Sequence, residues 1–348
     1  MELHDYLAQA VTKQASDIFM SAGRRVSFRI NGLIVAVGEN EADAEEIEKK
    51  VTGLYAIAGR SMGRLNDSGD DDFSMHLEGI ARFRVSAFRQ RGTMAAVIRV
   101  VPFHIPDYEK LHIPDEIIGI ASVGSGLVLV TGPAGSGKTT TLACILDRVN
   151  RSRNCHIITL EDPIEYLHED NKSIINQREI SIDTGSYITA LRASLRQSPD
   201  IILLGEMRDL ETISTAMTAA ETGHLVISTL HTSGAVNTLD RIIDVFPPGQ
   251  QQQIRVQLSM ALRTVVSQLL LPGASGGLVP AFEIMHVNNA VRTYIREGKT
   301  HQIDTVIETS SSQGMVSMEA SISGLYRDGF ITRKTVIDYG AFGRQDGF

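Results

Sequence analysis

The glycine-rich segment from Gly132 to Thr139 constrains the fold of this chain more than any other feature. Its sequence, GPAGSGKT, fits the pattern GxxxxGK[ST] of a phosphate-binding loop. An apolar run, LVLVTG, leads into it, and a stretch with apolar residues at helical spacing follows it. Because a phosphate-binding loop joins a strand to a helix, this context predicts an α/β domain that binds a nucleotide.

The residue types in this loop suit a nucleotide phosphate and its metal ion. Backbone N–H groups of the loop and of the helix N-terminus can surround phosphate oxygens, and Lys138 can offset the charge of the β and γ groups. The hydroxyl of Thr139 can ligate Mg²⁺. We therefore predict ATP and Mg²⁺ as cofactors. The residues predicted to bind the nucleotide are Gly132, Pro133, Ala134, Gly135, Ser136, Gly137, Lys138, Thr139 and Thr140.

Further apolar runs after the loop predict a parallel sheet. They are IITLE, IILLGE and HLVISTLHT, with helical patterns between them. Right-handed crossovers would bring the carboxyl ends of these strands to one edge, where functional residues should gather. Beyond Pro247 the spacing predicts a mostly helical region. The apolar residues that indicate it are Ile254, Leu258, Ala261, Leu262, Val265, Val266 and Leu269.

Two carboxylates at predicted strand ends are candidates for catalysis. Glu161 ends IITLE, and Glu206 ends IILLGE, where Gly205 occupies the usual position of the Walker B aspartate. We predict that Glu206 polarises the attacking water, and that both Glu161 and Glu206 help Thr139 to hold the metal, partly through water. The alternative is that each is a solvated acid at the end of a strand.

Two histidines, His224 and His231, bracket the run HLVISTLHT. A metal site shared between them is unfavourable, because seven strand residues span about 23 Å and an odd offset directs the side chains to opposite faces. His231, at the carboxyl end, could contact the γ-phosphate. The alternative is a structural histidine, and His224 is expected to bond to neighbouring backbone or to a carboxylate.

The first hundred residues predict a separate, smaller α+β unit. VSFRINGLIVAV indicates a hairpin that turns at Asn31 and Gly32, a helix is expected from Ala44, and strands are expected in FSMHL and ARFRVSAFRQRGTMAAVIRVV. A cluster of prolines then predicts a linker. The expected boundaries are 1–101 for the first domain, 102–118 for the linker and 119–348 for the ATPase domain with a helical C-terminal region.

Arginines crowd the end of this first unit, at positions 82, 84, 89, 91 and 99. An anionic target such as a phosphate would explain them, and so would surface salt bridges. The sequence alone leaves both interpretations open.

Composition narrows the class of protein. The formal charge is -8, which lacks the basic excess of a nucleic-acid coat, and the two cysteines cannot form a four-cysteine zinc site. No apolar run approaches the roughly 20 residues of a membrane helix, and the N-terminal segment lacks a signal-peptide core. We therefore expect a cytoplasmic protein without nucleic-acid partners, associated with a membrane only peripherally.

The segments ITLEDPIEYLHED, DIILLGEMRDLETI and AAETGHLVISTLHTSGAVNTLDRIIDVFP, with the phosphate-binding loop, resemble the secretion-ATPase superfamily. Within it they are most similar to the ATPases that retract type IV pili. The resemblance implies a PAS-like N-terminal domain, a RecA-like ATPase domain and a homohexamer with ATP bound between the two domains. It also implies an inner-membrane platform protein as partner and, indirectly, pilin.

The resemblance also implies roles for particular residues. Glu161 and Asp162 match the family's Asp box, Glu206 its Walker B motif, and His224 and His231 its His box. Arg84 and Arg99 match arginines that the N-terminal domain brings to the nucleotide. The predicted catalytic residues are therefore Glu206, Glu161, Lys138, His231, Arg84 and Arg99.

Two sequence features distinguish retraction ATPases from assembly ATPases in this superfamily. Assembly ATPases of the superfamily carry a longer N-terminal region and a four-cysteine zinc motif, and this chain has neither. Retraction members carry an AIRNLI-like segment, which here is AVRTYI from Ala290 to Ile295. The expected function is ATP-driven pilus retraction. The alternatives are an accessory paralogue, an assembly or type II secretion ATPase, a RecA-like nucleic-acid motor, a small-molecule kinase and a nucleotide-gated structural ring.

Overall fold

The computed structural model describes residues 1–30, 32–38, 40–77, 79–101 and 105–340. The chain divides into two compact units. The first contains the described residues up to Val101 together with Glu165–Leu167, and the second contains the rest, beginning at Ile105. The predicted linker starts outside the described residues, and the segment from 105 to 118 belongs to the second unit, where Ile113 and Ile117 are buried.

The first unit is an antiparallel sheet with helices on one face. Its helices are α1 (Leu3–Thr12), α2 (Ala44–Ile57) and α3 (Gly63–Ser68). Its strands are β1 (Asp17–Ser21), β2 (Ser27–Ile30), β3 (Leu33–Ala36), β4 (Asp70–Leu77), β5 (Ala81–Gln90) and β6 (Thr93–Val101), in the order β3-β2-β1-β6-β5-β4. The strands β2 to β6 and the start of α2 at Ala44 confirm the predicted elements, although Asn31 lies outside the described residues.

Strict alternation along β5 explains how this sheet packs. Phe83 and Val85 are buried in a core with residues of α2, whereas Arg82 and Arg84, which alternate with them, lie on the opposite face. The sheet therefore keeps one apolar face for the core and presents cations on the other.

The second unit begins with α4 (Asp115–Ile118), followed by a 3₁₀ helix at Gly119–Ser122. It continues with β7 (Gly126–Thr131), α5 (Lys138–Ser152), β8 (His156–Glu161), β9 (Ile174–Glu179), α6 (Tyr187–Ser194), β10 (Ile201–Leu204), α7 (Leu210–Glu221) and β11 (Leu225–Leu230). The remaining elements are α8 (Ala235–Asp244), α9 (Pro248–Ala261), β12 (Leu262–Pro272), β13 (Leu278–His286), α10 (Asn289–Glu297), α11 (Ile303–Thr309), α12 (Met318–Arg327) and α13 (Arg333–Tyr339), with 3₁₀ turns at Thr300–Gln302 and Ser311–Gln313.

These strands form one sheet in the order β13-β12-β7-β11-β10-β8-β9. All neighbouring pairs are parallel except β12 with β13, which is antiparallel. The predicted α/β fold with parallel strands β7, β8, β10 and β11 is confirmed. Within the described residues, no helix is both long and apolar enough to cross a membrane.

The predicted helical region beyond Pro247 is partly wrong. Helix α9 ends at Ala261, and the apolar residues from Leu262 onward form β12, which pairs with β7. Because β12 is buried on both faces, its apolar residues are nearly continuous and fit a helical spacing as well as a strand. The pairing partner that decides between them, β7, is distant in the sequence.

Asp71 holds the first unit together through a buried polar cluster. Its carboxylate accepts hydrogen bonds from the Tyr55 hydroxyl at 3.1 Å and from Nε and Nη2 of Arg60 at 3.1 and 3.0 Å. Burial, followed by the charge of Asp71, raises the pKa of Tyr55, so this phenol remains a donor.

Asp71→Ala should lower the free energy of unfolding by about 2 kcal/mol, because it leaves the buried hydroxyl and the guanidinium without their acceptor. Asp72→Ala is the matched control, since Asp72 follows in the same strand and is exposed. It should change the stability by less than about 0.5 kcal/mol. Thermal unfolding of both variants checks this, and equal shifts would contradict the assigned role of Asp71.

Candidate nucleotide-binding site

The phosphate-binding loop runs from the end of β7 to the first residue of α5, as the sequence predicts. Its glycines at 132, 135 and 137 have positive φ angles of 143°, 76° and 85°. At Gly132 a Cβ atom would lie 2.2 Å from the backbone carbonyl oxygen of Gln268. The loop therefore passes so close to β12 that only glycine fits there.

The loop provides donors suited to a polyphosphate. Lys138 is buried, and its Nζ donates to the carbonyl oxygens of Gly132 at 2.8 Å and Pro133 at 2.9 Å. Ser136 Oγ is also buried and has no hydrogen-bond partner among the described residues. A buried hydroxyl of this kind fits a phosphate oxygen as its acceptor. Thr139 and Thr140 are half-buried in the first turn of α5.

Gln268 supports the loop from β12 and was missed by the sequence analysis. Thr141 Oγ1 donates to Gln268 Oε1 at 2.8 Å, and both side chains are buried. The side-chain amide nitrogen of Gln268 lies close to Gly137. A Cβ atom at position 137 would be 2.9 Å from that nitrogen. A strand assignment for residues 262–272 would have placed Gln268 beside the end of β7, because Ser267 pairs with Thr131.

Glu161 and Glu206 lie at the same edge of the sheet, because β8 and β10 are parallel neighbours. Glu161 is buried at the end of β8, and its Oε1 accepts from Thr159 Oγ1 at 2.6 Å and from Gln177 Nε2 at 3.1 Å. These bonds fix its carboxylate. Gln177 lies on β9, a strand that the sequence analysis did not predict.

Glu206 lies two residues beyond β10 and faces an arginine and a histidine. Its Oε1 is 2.6 Å from Arg208 Nη2, and its Oε2 is 3.5 Å from His231 Nε2. His231 follows β11, so neighbouring parallel strands bring the two together. At the other end of β11, His224 Nδ1 lies 3.0 Å from the carbonyl oxygen of Ala219, in agreement with the expected backbone partner.

Tyr187 explains why glycine occupies the Walker B aspartate position. A Cβ at Gly205 would lie 2.8 Å from the Tyr187 hydroxyl and 3.1 Å from the carbonyl oxygen of Leu160. The carboxylate is therefore carried by the next residue, Glu206. Burial and then the carboxylates of Glu206, Asp162 and Glu161 raise the pKa of Tyr187, so its hydroxyl stays protonated. The unusual glycine was the sequence signal for this contact.

The two predicted arginines lie in the first unit, whereas the loop and the carboxylates lie in the second. Arg84 on β5 and Arg99 on β6 are direct cross-strand partners. Like charges in this arrangement are unfavourable without an anion. Arg99 Nε lies 3.2 Å from Asp17 Oδ1, and Arg29 lies at the same distance from Oδ2 of that carboxylate.

The residues of the second unit fit a magnesium-bound nucleotide. In the described part of the chain, no group of three His, Cys, Asp or Glu residues could hold a metal ion by itself. Mg²⁺ commonly takes one or two carboxylates together with substrate phosphates and water. Thr139, Glu161 and Glu206 suit that arrangement, whereas they would not form an all-protein cage.

The fold and the site together define a P-loop ATPase. Residues 2–322 match the family model described as "Type II/IV secretion system protein", and the chain belongs to this family. It is 42% identical to the type IV pilus retraction ATPase PilT of Pseudomonas aeruginosa, over 96% of both chains. It is 46% identical to a twitching motility protein of Neisseria gonorrhoeae, over 87% of this chain and 81% of that one.

The solved structures agree with this family assignment. A crystal structure of the pilus retraction motor PilT with bound ADP superposes with a TM-score of 0.90 at 42% identity. The match covers 97% of this chain and 96% of that one. It supports the predicted RecA-like ATPase domain with a smaller N-terminal domain.

Gly205→Ala should reduce ATP hydrolysis by about tenfold, because the new methyl group displaces the Tyr187 hydroxyl at the cost of about 1–2 kcal/mol. Adding Tyr187→Phe should restore most of the activity, since it removes the atom in closest contact. Gly185→Ala is the control, because a Cβ there meets nothing within 4 Å. Steady-state phosphate release measures all of them. A double variant as impaired as Gly205→Ala would refute the proposed contact.

Proposed function

We propose that this chain is the hexameric ATPase motor that retracts type IV pili. The observation that carries the proposal is the contact between Glu206 and His231 at the sheet edge of a P-loop domain, where Glu161 ends the neighbouring strand. The PilT of Pseudomonas aeruginosa, with which it aligns over 96% of its length, is named as a retraction ATPase. Both the chemistry and the direction of pilus movement follow from this assignment.

The proposed hydrolysis uses residues of the second unit. The loop N–H groups, Ser136 and Lys138 hold the β and γ phosphates, and Mg²⁺ held near Thr139 would neutralise their charge. Glu206 orients a water molecule and accepts its proton as the water oxygen attacks the γ-phosphorus. The bond to the bridging β–γ oxygen breaks, and ADP and phosphate are the products.

The roles of His231 and of Glu161 differ in this scheme. His231 lies beside Glu206 and is half-exposed, so it is positioned to contact the γ-phosphate while holding the carboxylate. Glu161 is buried and fixed by Thr159 and Gln177, which suits a group that supports the metal or its water shell.

Arg84 and Arg99 are proposed to couple hydrolysis to movement. A γ-phosphate between these cross-strand guanidinium groups would offset their mutual repulsion. Only ligand contacts that differ between two states can drive a change between them, and loss of the γ-phosphate removes such a contact. Relative motion of domains 1–101 and 119–348 would then deliver work around the ring.

The proposed partners are an inner-membrane platform protein and, through it, pilin. The protein would act in the cytoplasm at the inner face of the membrane, and its charge of -8 disfavours nucleic acid as a partner. The segment AVRTYI forms most of α10, with Val291 and Ile295 buried. Tyr294 packs against the core, so the replacements in this segment preserve an amphipathic helix.

Glu206→Gln should lower ATP turnover by at least about a hundredfold, because the amide cannot accept the proton of the attacking water. Nucleotide affinity should stay within a few-fold of the native value, since the phosphate-binding loop is unchanged. Glu211→Gln serves as the control, because Glu211 is exposed and pairs with Arg192. Normal turnover in Glu206→Gln would overturn the assignment of Glu206.

Cells whose only copy carries Lys138→Ala should accumulate surface pili and lose twitching motility, because pilus assembly continues without retraction. Lys49→Ala, an exposed change on α2, should leave both unchanged. Pili are counted on the surface and movement is scored on agar. Cells without pili would indicate an assembly motor, and unchanged pili would contradict a retraction role for this chain.

A further inference from the structure

A second basic site lies in the first unit, away from the predicted nucleotide arginines. It is a cavity of about 660 Å³ lined by Arg24, Arg25 and Arg91, with Phe19 and Ile34 on its apolar side. No carboxylate is among its lining residues. The volume lies within the range of about 300–1,000 Å³ that is common for small-molecule sites.

The sheet topology brings the three arginines together. Strand β1 runs antiparallel to β6 with Ser21 opposite Ala95, so the loop after β1 lies beside the turn before β6. Arg24 and Arg25 lie in the loop after β1, and backbone hydrogen bonds to Ala42 hold this loop in place. The Gly23 N–H donates to the Ala42 carbonyl at 2.8 Å, and the Ala42 N–H donates to the Arg24 carbonyl at 3.1 Å.

The backbone at Arg91 is unfavourable for arginine. Arg91 and Gly92 form the turn between β5 and β6, with φ angles of 47° and 78°. A two-residue hairpin with both φ angles positive favours Asn-Gly. An arginine at this unfavourable backbone position is consistent with a function for its side chain.

No described residue supplies an anionic partner to these arginines. Among the described residues, none of the three forms an ion pair, although the whole chain carries a charge of -8. They are also distinct from Arg99, which pairs with Asp17 at the other end of β1. Ser21 lies four residue steps along β1 from Asp17, a distance of about 13 Å.

We propose that this cavity binds a phosphorylated anion of about nucleotide size, separate from the phosphate-binding loop. Guanidinium groups present several N–H donors in a planar fork that matches phosphate oxygens, and three of them suit a multiply charged group better than a single carboxylate. The apolar side formed by Phe19 and Ile34 receives the uncharged part of the ligand. This site is independent of the proposed retraction function.

The test counts binding sites with inorganic pyrophosphate by titration calorimetry on the full chain. The native protein should bind two pyrophosphate ions per chain. The Lys138→Ala variant should bind only one, in the cavity. Adding Arg24→Ser, Arg25→Ser and Arg91→Asn should weaken the remaining binding by at least about a hundredfold. Arg89→Ser is the matched control, because Arg89 lies on the same hairpin and donates to Asn66.

A parallel measurement distinguishes two sources of phosphate. Co-sedimentation with phosphatidylglycerol vesicles that depends on the three arginines would assign the site to lipid headgroups, whereas pyrophosphate binding alone would assign it to a soluble phosphate ester. The Arg91→Asn variant alone should raise the melting temperature while weakening binding, since asparagine suits the turn.

Three results would overturn the proposal. The first is the absence of both pyrophosphate binding at a second site and vesicle binding. The second is binding that survives the triple arginine variant. The third is a triple variant that changes the mass of the assembled ring but not the binding of pyrophosphate or vesicles. That result would mean that the cavity holds an acidic segment of a second copy of the chain.

Discussion

The close contact between the phosphate-binding loop and β12 is the constraint on which the site depends. Gly132 lies against the Gln268 carbonyl oxygen, while the Gln268 side chain bonds to Thr141 on the helix that follows the loop. One residue of the neighbouring strand, Gln268, therefore contacts the phosphate-binding loop at its first residue and the helix just after its last residue. Lys138 then bonds to the carbonyl groups of the same loop. A preorganised loop of this kind binds phosphate without first having to order its donors.

The carboxylates at the sheet edge differ because their surroundings differ. Glu161 is buried, and hydrogen bonds from Thr159 and Gln177 hold its carboxylate in place. Glu206 instead contacts Arg208, which is largely exposed, and His231, which is half-exposed. Tyr187 prevents a side chain at position 205, so the chain places its second carboxylate one residue later than a standard Walker B strand. Packing around position 205 therefore explains why residue 206, and not residue 205, carries this carboxylate.

Local patterns in the sequence predicted much of the fold and part of the site. The phosphate-binding loop, the parallel strands β7, β8, β10 and β11, and the start of α2 at Ala44 depend on nearby residues, so the sequence was sufficient for them. Strand β12 and the contacts of Gln268 and Tyr187 depend on distant residues. Thr141 and Gln268, for example, are 127 positions apart. A doubly buried strand also lacks the alternation that would distinguish it from a helix.

The ATP affinity and turnover of Gln268→Leu show whether β12 sets the geometry of the nucleotide site. This change keeps the apolar bulk of the side chain but removes its bond to Thr141 and its amide beside Gly137. Gln257→Leu on α9, at a position that pairs only with Glu221 among the described residues, is the control. We predict at least tenfold weaker ATP binding (about 1.4 kcal/mol) in a folded protein. Unchanged affinity and turnover would contradict the claim that β12 sets the geometry of the nucleotide site.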